Sequence, residues 1–333
     1  RNLKDQTFDY GKIEEQFDFK PSYIVKEEMG FLKWMKEIWK KLNSSHPDIV
    51  LGSEFGISTI IIILHKFVTK SHYKIVIIND DSYDMLVNNN QFTKRHARAV
   101  KAMMPLVDDV INVEPRVAAY NQQKYQKGIY FPIICNDVIA KKRLERVLPI
   151  SQNYVSKYQL EGKKVLLFVG RLVALKNVKF ALRAFIKANL DNTIFVIVGD
   201  GSEKEKLEKI AAGNPAVIFT GRLEGDELYA WYNVGQVFTL PSYKEPFGAV
   251  TNEALVAGCK VLISKDAGSN CLVKDGKNGY IIDPHHETKF IEKLKLAFYS
   301  MKPLKMQLVV KENMMVSSFE EHIKSLYARM ENL

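Results

Sequence analysis

The sequence predicts a two-domain α/β fold with mostly parallel sheets, on the basis of three observations. The chain has 333 residues, a length that is usually divided between two domains. Short apolar runs alternate with segments of helical periodicity, as expected for parallel strands joined by helices. In the second half, three apolar runs end at glycine turns, at Gly170, Gly199 and Gly221. Open sheets bind ligands beyond the carboxyl ends of their strands, so these turns are expected on a binding edge.

The first half alternates helices and strands in a regular order. Apolar residues at helical spacing predict helices over 27–43, 57–69, 91–104 and 115–123. Runs of apolar residues bounded by polar turns predict strands over 49–52, 74–78 and 110–113, and the segment 128–132 closes this half.

The second half repeats the alternation with more strands. Strands are predicted over 163–169, 195–198, 217–220, 237–240, 260–263 and 279–282. A capping-box pattern predicts a helix that begins at Ser202, and Asp226 is predicted to cap a helix over 227–233. Further helices are predicted over 177–189, 286–300 and 315–331.

Composition excludes several classes of protein. No run of 18 or more apolar residues exists, so no transmembrane helix is predicted. The three cysteines, Cys135, Cys259 and Cys271, are few and widely spaced, which favours reduced thiols in a cytoplasmic protein over a disulfide framework. The net charge of +10 includes two basic clusters, 94–101 and 141–146. They fit either a solvated helix face or an anionic surface, and no nucleic-acid-binding motif accompanies them.

The stretch from Glu245 to Glu253 contains the most informative chemistry. It places two carboxylates eight positions apart. Pro246 suits the first position of a helix, and Gly258 suits its C-terminal end. N–H groups at the start of that helix would then bind an anion, at Phe247, Gly248 and Ala249. A diphosphate on these amides would have a carboxylate at each end, which suits a nucleotide-sugar, although the spacing alone is also typical of a solvated helix.

In its wider context, the region from about 163 to 283 resembles the donor-binding domain of retaining glycosyltransferases of family 4, which have the GT-B fold. Four motifs in order and spacing form the resemblance: Gly170-Arg171-Leu172 with Lys176, Gly199-Asp200-Gly201, Glu245 through Glu253, and Asp275-Gly276-Lys-Asn-Gly279. The resemblance implies two Rossmann-like domains that face a central cleft. We expect an acceptor-side domain at 1–152, without its first strand, a donor-binding domain at 153–302, and a helix at 303–333 that crosses back.

The resemblance also implies roles for individual residues. Arg171 and Lys176 would hold the diphosphate and stabilise its charge as it leaves. Glu245 would contact the donor sugar, and Glu245, Arg171 and Lys176 would together be the catalytic residues. Glu253 would accept hydrogen bonds from the ribose hydroxyls. Leu223 would touch the base through its backbone, or else simply pack. The rest of the donor site would be Gly170, Gly199, Asp200, Gly201, Phe247, Gly248 and Ala249.

The match is weaker on the acceptor side. The family often has a histidine after the strand that ends here near Ile78, and this chain has Asn79 and Asp80. Asn79 could bind a sugar hydroxyl and Asp80 could act as a base, although a capped loop explains both residues equally well. The family commonly has a glutamate where Cys271 stands, which we interpret as a tolerated variant.

The resemblance implies a retaining glycosyltransferase that uses no metal and no cofactor. The donor would be a UDP- or GDP-linked sugar, and the acceptor a glycan or lipid-linked glycan in cell-surface polysaccharide or lipopolysaccharide synthesis. The protein would be cytoplasmic. A helix that contains Trp34 and Trp39 could contact an anionic membrane peripherally, although packing of these side chains in the core explains the pattern better. The alternatives are a degenerate domain that binds nucleotide-sugar without catalysis and a sugar-nucleotide epimerase.

Overall fold

The computed structural model describes residues 30–81, 83 and 94–333, which contain two parallel sheets. The first sheet has four strands in the order β1-β2-β3-β4. They are β1 (Ile49–Ser53), β2 (Lys74–Asn79), β3 (Asp109–Asn112) and β4 (Ile129–Tyr130). All of the pairings are parallel, as the alternation of strands and helices predicts.

The described residues beside the first sheet include four helices: α1 (Phe31–Ser45), α2 (Ile57–Thr69), α3 (Lys94–Met103) and α4 (Pro115–Tyr125). The bounds of α2 agree with the prediction. The predicted starts at residues 27 and 91 lie outside the described residues. Together, α1 and α2 pack through Trp39 and His65, whose rings meet edge to face with centroids 4.8 Å apart.

The second sheet has six strands in the order β10-β9-β8-β5-β6-β7. They are β5 (Lys164–Val169), β6 (Thr193–Val198), β7 (Val217–Gly221), β8 (Val237–Leu240), β9 (Lys260–Ser264) and β10 (Gly279–Ile282). Every pairing is again parallel. The strands are apolar along nearly their whole length, as expected where helices cover both faces of a sheet, and Phe168, Phe195 and Phe238 are fully buried between the layers.

Eight helices follow β4 along the chain. They are α5 (Asp137–Arg146), α6 (Leu148–Lys157), α7 (Val178–Ala188), α8 (Lys204–Ala211), α9 (Gly225–Val234), α10 (Val250–Val256), α11 (Glu287–Tyr299) and α12 (Phe319–Met330). The sequence reasoning did not identify α5 and α6. A cap signal existed for α5, because the Asn136 side chain accepts from the N–H groups of Val138 and Ile139 at 3.0 and 3.1 Å.

Four predicted helix starts are wrong. The last helix, predicted from residue 315, begins at Phe319, where Ser318 caps it. Ser202 does not cap α8, which begins at Lys204 without a side-chain cap. Asp226 does not cap α9 either: it lies within the first turn and pairs with Arg143 and Arg146. Pro246 precedes α10 by four residues, because the backbone at Glu245 forms a parallel bridge with Ala267 instead of a helical turn.

The last helix lies against the first sheet. Leu326 and Met330 of α12 pack on a small core formed by Val76, Ile111 and Ile129. The Arg329 guanidinium donates to the Asp109 carboxylate at 3.0 Å. The sheets separate between β4 and β5, whereas residue 152 falls inside α6, so the predicted division at 152 and 302 stays a prediction.

Candidate functional site

The order of the second sheet creates a crevice between two of its strands. From β5 the chain moves outward to β6 and β7, and from β8 it moves the other way to β9 and β10. Neighbouring loops at such a reversal diverge and leave a cleft at the carboxyl ends of the two strands. The loops that flank this point are 170–177 and 241–249, and both contain predicted site residues.

An ion pair joins these two loops. The Lys176 ammonium donates to the Glu245 carboxylate, and the two side chains are only 16% and 14% exposed. The N–H of Tyr243 also donates to the carbonyl of Leu175 at 2.9 Å. The structure therefore brings together two residues that the sequence reasoning had assigned separately, one to the diphosphate and the other to the sugar.

Arg171 differs from Lys176 in its surroundings. Its side chain is exposed, and no described residue forms a hydrogen bond or an ion pair with its guanidinium. It follows β5 directly, at the mouth of the crevice. Because the planar guanidinium fork is not used within the described structure, it remains available to a phosphate.

Glycines allow the neighbouring loops to approach closely. A Cβ atom on Gly199 would lie 1.9 Å from the Gly170 carbonyl oxygen, and one on Gly201 would lie 2.4 Å from that of Leu172. Both glycines also have positive φ angles. Their first role here is thus to let the turns after β5 and β6 pack together beside the crevice.

The turn at 247–249 presents backbone donors. Phe247 is buried in the core, and Gly248 has a φ of +95°, which favours glycine. The carbonyl groups of this turn are all used: the Ser269 N–H donates to that of Phe247 at 2.8 Å, and N–H groups of α10 donate to those of Gly248 and Ala249. In contrast, no described group accepts from the N–H groups of Phe247, Gly248 and Ala249. They can serve an anion, but as a turn before α10 and not as the first turn of a helix that starts at Pro246.

Glu253 lies on α10 in a polar pocket that sequence reasoning missed. Tyr232 donates to its Oε2 at 2.7 Å, and Tyr229 donates to its Oε1 at 3.3 Å. Burial raises the pKa of the Glu253 carboxyl, while both tyrosine hydroxyls and the nearby Arg143 act in the opposite direction. The available signal was the spacing of the two tyrosines, which are three apart and therefore share one face of a helix.

Two other residues of the predicted donor site, Asp200 and Leu223, have ordinary surroundings. Asp200 is exposed, accepts from the N–H of Gly201 at 2.7 Å and pairs with Lys204. Leu223 is partly buried and packs against the core of the second domain. Both follow strands whose carboxyl ends border the same edge of the sheet, and their predicted contacts with a nucleotide stay predictions.

The carboxyl ends of the two sheets meet across a cleft. At the end of β4, the Tyr130 hydroxyl donates to Cys271 Sγ at 3.8 Å. Burial raises the pKa of the Cys271 thiol to about 11. Beyond β3, the fully buried Glu114 accepts from the half-exposed Arg116. The sequence reasoning did not select Tyr130, Glu114 or Arg116, although a carboxylate directly after an apolar strand is a usable signal.

The acceptor-side candidates have different environments. Asn79, at the end of β2, is 3% exposed, and its amide faces Asn112 at 3.4 Å. Asn112 also accepts from Asn121 at 2.9 Å, so these amides form a buried cluster behind the strand ends. Asp80 is partly exposed and is the better placed of the two candidates to meet a ligand.

The described residues lack two kinds of feature. Within residues 30–81, 83 and 94–333, no group of three or more histidines, cysteines, aspartates or glutamates is placed to hold a metal ion. In the same residues, no helix combines the length and apolar character needed to cross a membrane.

Comparison with known proteins gives concordant results. Residues 151–314 match the family described as glycosyl transferases group 1. The chain is 35% identical over 136 residues to sulfoquinovosyl transferase SQD2 of Arabidopsis thaliana. This alignment covers 40% of this chain and 26% of that protein. It is 34% identical over 123 residues to a GDP-mannose-dependent alpha-mannosyltransferase of Mycolicibacterium smegmatis, and that alignment covers 37% of this chain and 31% of the relative. The chain thus spans less than a third of the length of these curated relatives.

Solved structures extend the likeness beyond the second domain. The chain superimposes on HepE of Anabaena in complex with UDP with a TM-score of 0.71 and 15% identity. The match covers 90% of this chain and 82% of HepE, so it includes both sheets. The match to the glycosyl transferases group 1 family thus covers residues 151–314, and the chain as a whole has the GT-B fold.

Proposed function

We propose that this protein is a retaining, metal-independent glycosyltransferase of family 4. It moves a sugar from a UDP- or GDP-linked donor to a glycan or a lipid-linked glycan. The observation that carries the proposal is the Lys176–Glu245 ion pair at the strand reversal, beside the exposed Arg171 and the free amides of 247–249. A cation, a carboxylate and an anion-binding turn in one crevice are what a nucleotide-sugar requires.

The reaction places negative charge on the leaving diphosphate. The proposed role of Arg171 is bidentate contact with a phosphate, and that of Lys176 is a point charge close to the breaking bond. When the diphosphate draws the Lys176 ammonium away from Glu245, that carboxylate becomes free to bind the donor sugar. Glu245 also faces the positive charge that develops on the reacting sugar ring.

The proposed donor nucleoside is either uridine or guanosine. HepE was solved with UDP, whereas the mycobacterial relative is named for GDP-mannose. These names support a nucleoside diphosphate donor here and do not choose between the two. We place the acceptor against the first domain, near Asp80 and the Glu114–Arg116 pair, and cleft closure would exclude water that otherwise hydrolyses the donor.

A donor-hydrolysis assay tests the proposal. The protein is incubated with UDP-glucose, UDP-galactose, UDP-N-acetylglucosamine and GDP-mannose, with and without EDTA, and nucleoside diphosphate release is measured. We expect release from one donor, unchanged by EDTA, with the first-formed free sugar in the anomeric configuration of the donor. Glu245→Gln should abolish release, and the control Glu287→Gln, at a partly exposed glutamate, should not.

Other outcomes of the same assay support the alternatives. Binding of a nucleotide-sugar without release would indicate a degenerate domain, in line with the cysteine at position 271. Conversion of the sugar while it remains on the nucleotide would indicate an epimerase. Inverted product or inhibition by EDTA would refute retention or metal independence, respectively.

We also propose that the protein works at the cytoplasmic face of an anionic membrane, in cell-surface polysaccharide or lipopolysaccharide synthesis. The supporting surface is α2, where Phe67 is 84% exposed and Ile57 and Leu64 are more than half exposed. Exposed lysines of α1, Lys33 and Lys36, lie on the neighbouring helix. Co-sedimentation should require phosphatidylglycerol in phosphatidylcholine vesicles and should be lost in Phe67→Ser. Equal binding to neutral vesicles would contradict the proposal.

A further inference from the structure

Glu253 is fixed by two tyrosines of a single helix. Tyr229 and Tyr232 lie one turn apart on α9, and each donates its hydroxyl to a different oxygen of the carboxylate. A carboxylate has about four acceptor positions, so two remain after these bonds. Glu253 keeps a partly exposed surface, through which the remaining positions can be reached.

The tyrosine pair is itself held rigidly. Tyr232 is fully buried, and its ring contacts that of Tyr229 with centroids 5.8 Å apart. The Arg143 guanidinium lies 3.7 Å from the centre of the Tyr229 ring. At the end of α9, the Lys311 ammonium donates to the carbonyls of Tyr232 and Asn233 at 3.0 and 2.6 Å. The carboxylate therefore has one defined orientation before any ligand arrives.

The pair also affects the charge of Glu253. The groups that act on it are Tyr229 and Tyr232 of α9 and Arg143 of α5, and the carboxylate in turn helps to raise the pKa of the nearby Cys135 thiol. Burial raises the pKa of the glutamate, and the two hydroxyls are the next largest influences and lower it. Burial also raises the pKa of both tyrosines, so they stay protonated donors at neutral pH. Loss of one hydroxyl would leave the carboxylate closer to its neutral form.

We propose that Tyr229 and Tyr232 are positioning residues that orient Glu253 toward the two ribose hydroxyls of the nucleotide and make the site select ribonucleotides. The inference rests on the proposed function, because it requires a nucleotide in the crevice beside α10. Neither tyrosine touches the ligand. Their effect passes through the carboxylate, whose remaining acceptor positions face the 2′ and 3′ hydroxyls together.

The test compares diphosphates that differ only in the sugar. Binding of UDP and GDP, and of the 2′-deoxy and 2′,3′-dideoxy forms of whichever binds, is measured by calorimetry. The proteins are the wild type, Tyr232→Phe, Tyr229→Phe and the control Tyr154→Phe. Tyr154 is a buried tyrosine of the same domain whose hydroxyl donates to the Glu227 carbonyl at 3.5 Å, so the control also loses one phenolic hydroxyl without approaching Glu253.

We expect the wild type to bind the ribonucleotide about tenfold more tightly than the dideoxy form, because one to two net hydrogen bonds contribute about that difference in affinity. Tyr232→Phe should lose about tenfold in affinity for the ribonucleotide, and almost none for the dideoxy form. Its loss of affinity in acid should also begin at a higher pH than in the wild type. Tyr154→Phe should keep the wild-type preference and pH profile.

Each other result has a definite meaning. If both tyrosine variants keep the full ribonucleotide preference and the wild-type pH profile, the inference is wrong while the proposed function stands. If the wild type binds no nucleoside diphosphate, the proposed function fails and the inference fails with it. Should Tyr232→Phe not fold, the comparison is made with Tyr229→Phe, whose ring is partly exposed and whose hydrogen bond is longer.

Discussion

The Lys176–Glu245 pair should couple strongly to stability, and a double-mutant cycle measures this directly. Both side chains are mostly buried, so removal of one charge leaves the other poorly solvated. For such pairs the loss of one partner costs about 3 kcal/mol. In a domain of this size, each kcal/mol of lost stability lowers the melting temperature by about 2–4 °C. We therefore expect the melting temperature of Lys176→Met to be lower than that of the wild type by roughly 6–12 °C.

The double variant separates the pair from its members. In Lys176→Met with Glu245→Leu no unpaired charge remains, so the melting temperature should recover most of the loss. The chain offers a matched control in the Lys187–Glu287 pair, which has a distance of 2.8 Å but side chains that are 67% and 34% exposed. Exposed pairs couple by less than about 1 kcal/mol.

Thermal unfolding of the two cycles is compared by circular dichroism at low and moderate salt. The coupling at Lys176–Glu245 should exceed that of the control by about 2 kcal/mol and should depend less on salt, because buried charges are screened less. Equal coupling in the two cycles would refute the reasoning, since it would mean that the crevice is as well solvated as an exposed helix surface.

Three further predictions concern stability. Glu253→Gln should melt at or above the wild-type temperature at pH 7 while losing nucleotide binding, because burial raises the pKa of the carboxyl above 4.5 and its ionisation therefore opposes folding. The difference in melting temperature should shrink as the pH falls towards 4.5 and be absent below it, and a lower melting temperature than wild type at pH 7 would count against this prediction. Gly201→Ala should lower the free energy of unfolding in urea much more than Gly213→Ala does. Both glycines have positive φ, but only a Cβ at position 201 would meet another backbone atom, the Leu172 carbonyl oxygen at 2.4 Å. Equal losses of unfolding free energy would contradict the close-packing role of Gly201. Burial raises the pKa of the Cys135 and Cys271 thiols to about 11 from 9.0. As the pH rises, these thiols therefore ionise in the unfolded chain before they ionise in the folded protein, and stability should fall between pH 9 and 11. The same decline in a Cys135→Ser, Cys271→Ser double variant would disprove this prediction.

Local sequence signals predicted the strands of the second sheet well, although not the helix starts. The strand at 237–240 lies where it was predicted, and Gly258 follows α10 with a φ of +75°, as its C-terminal role requires. Apolar runs and glycine turns act over a few residues, so they can be read without knowledge of the fold. The same holds for the turns at Gly170, Gly199 and Gly221, which end or directly follow their strands.

Contacts between distant segments could not be predicted in this way. Pro246 is compatible with a first helical turn, yet the Gly268 N–H donates to the Glu245 carbonyl at 3.0 Å and holds that segment extended. The Lys176–Glu245 pair joins residues 69 positions apart, and its existence depends on the order of the strands. The two tyrosines that hold Glu253 come from a helix more than twenty residues away.

Nucleotide binding by the free guanidinium of Arg171 tests the central claim most directly. Calorimetric titration with UDP and GDP is performed on the wild type, on Arg171→Ala and on Arg183→Ala, which removes an exposed arginine of α7 outside the crevice. We predict that one diphosphate binds the wild type and Arg183→Ala equally, and binds Arg171→Ala at least tenfold more weakly, as for the loss of a charged hydrogen bond. Equal binding by all three proteins, or no binding by the wild type, would contradict a donor site at this strand reversal.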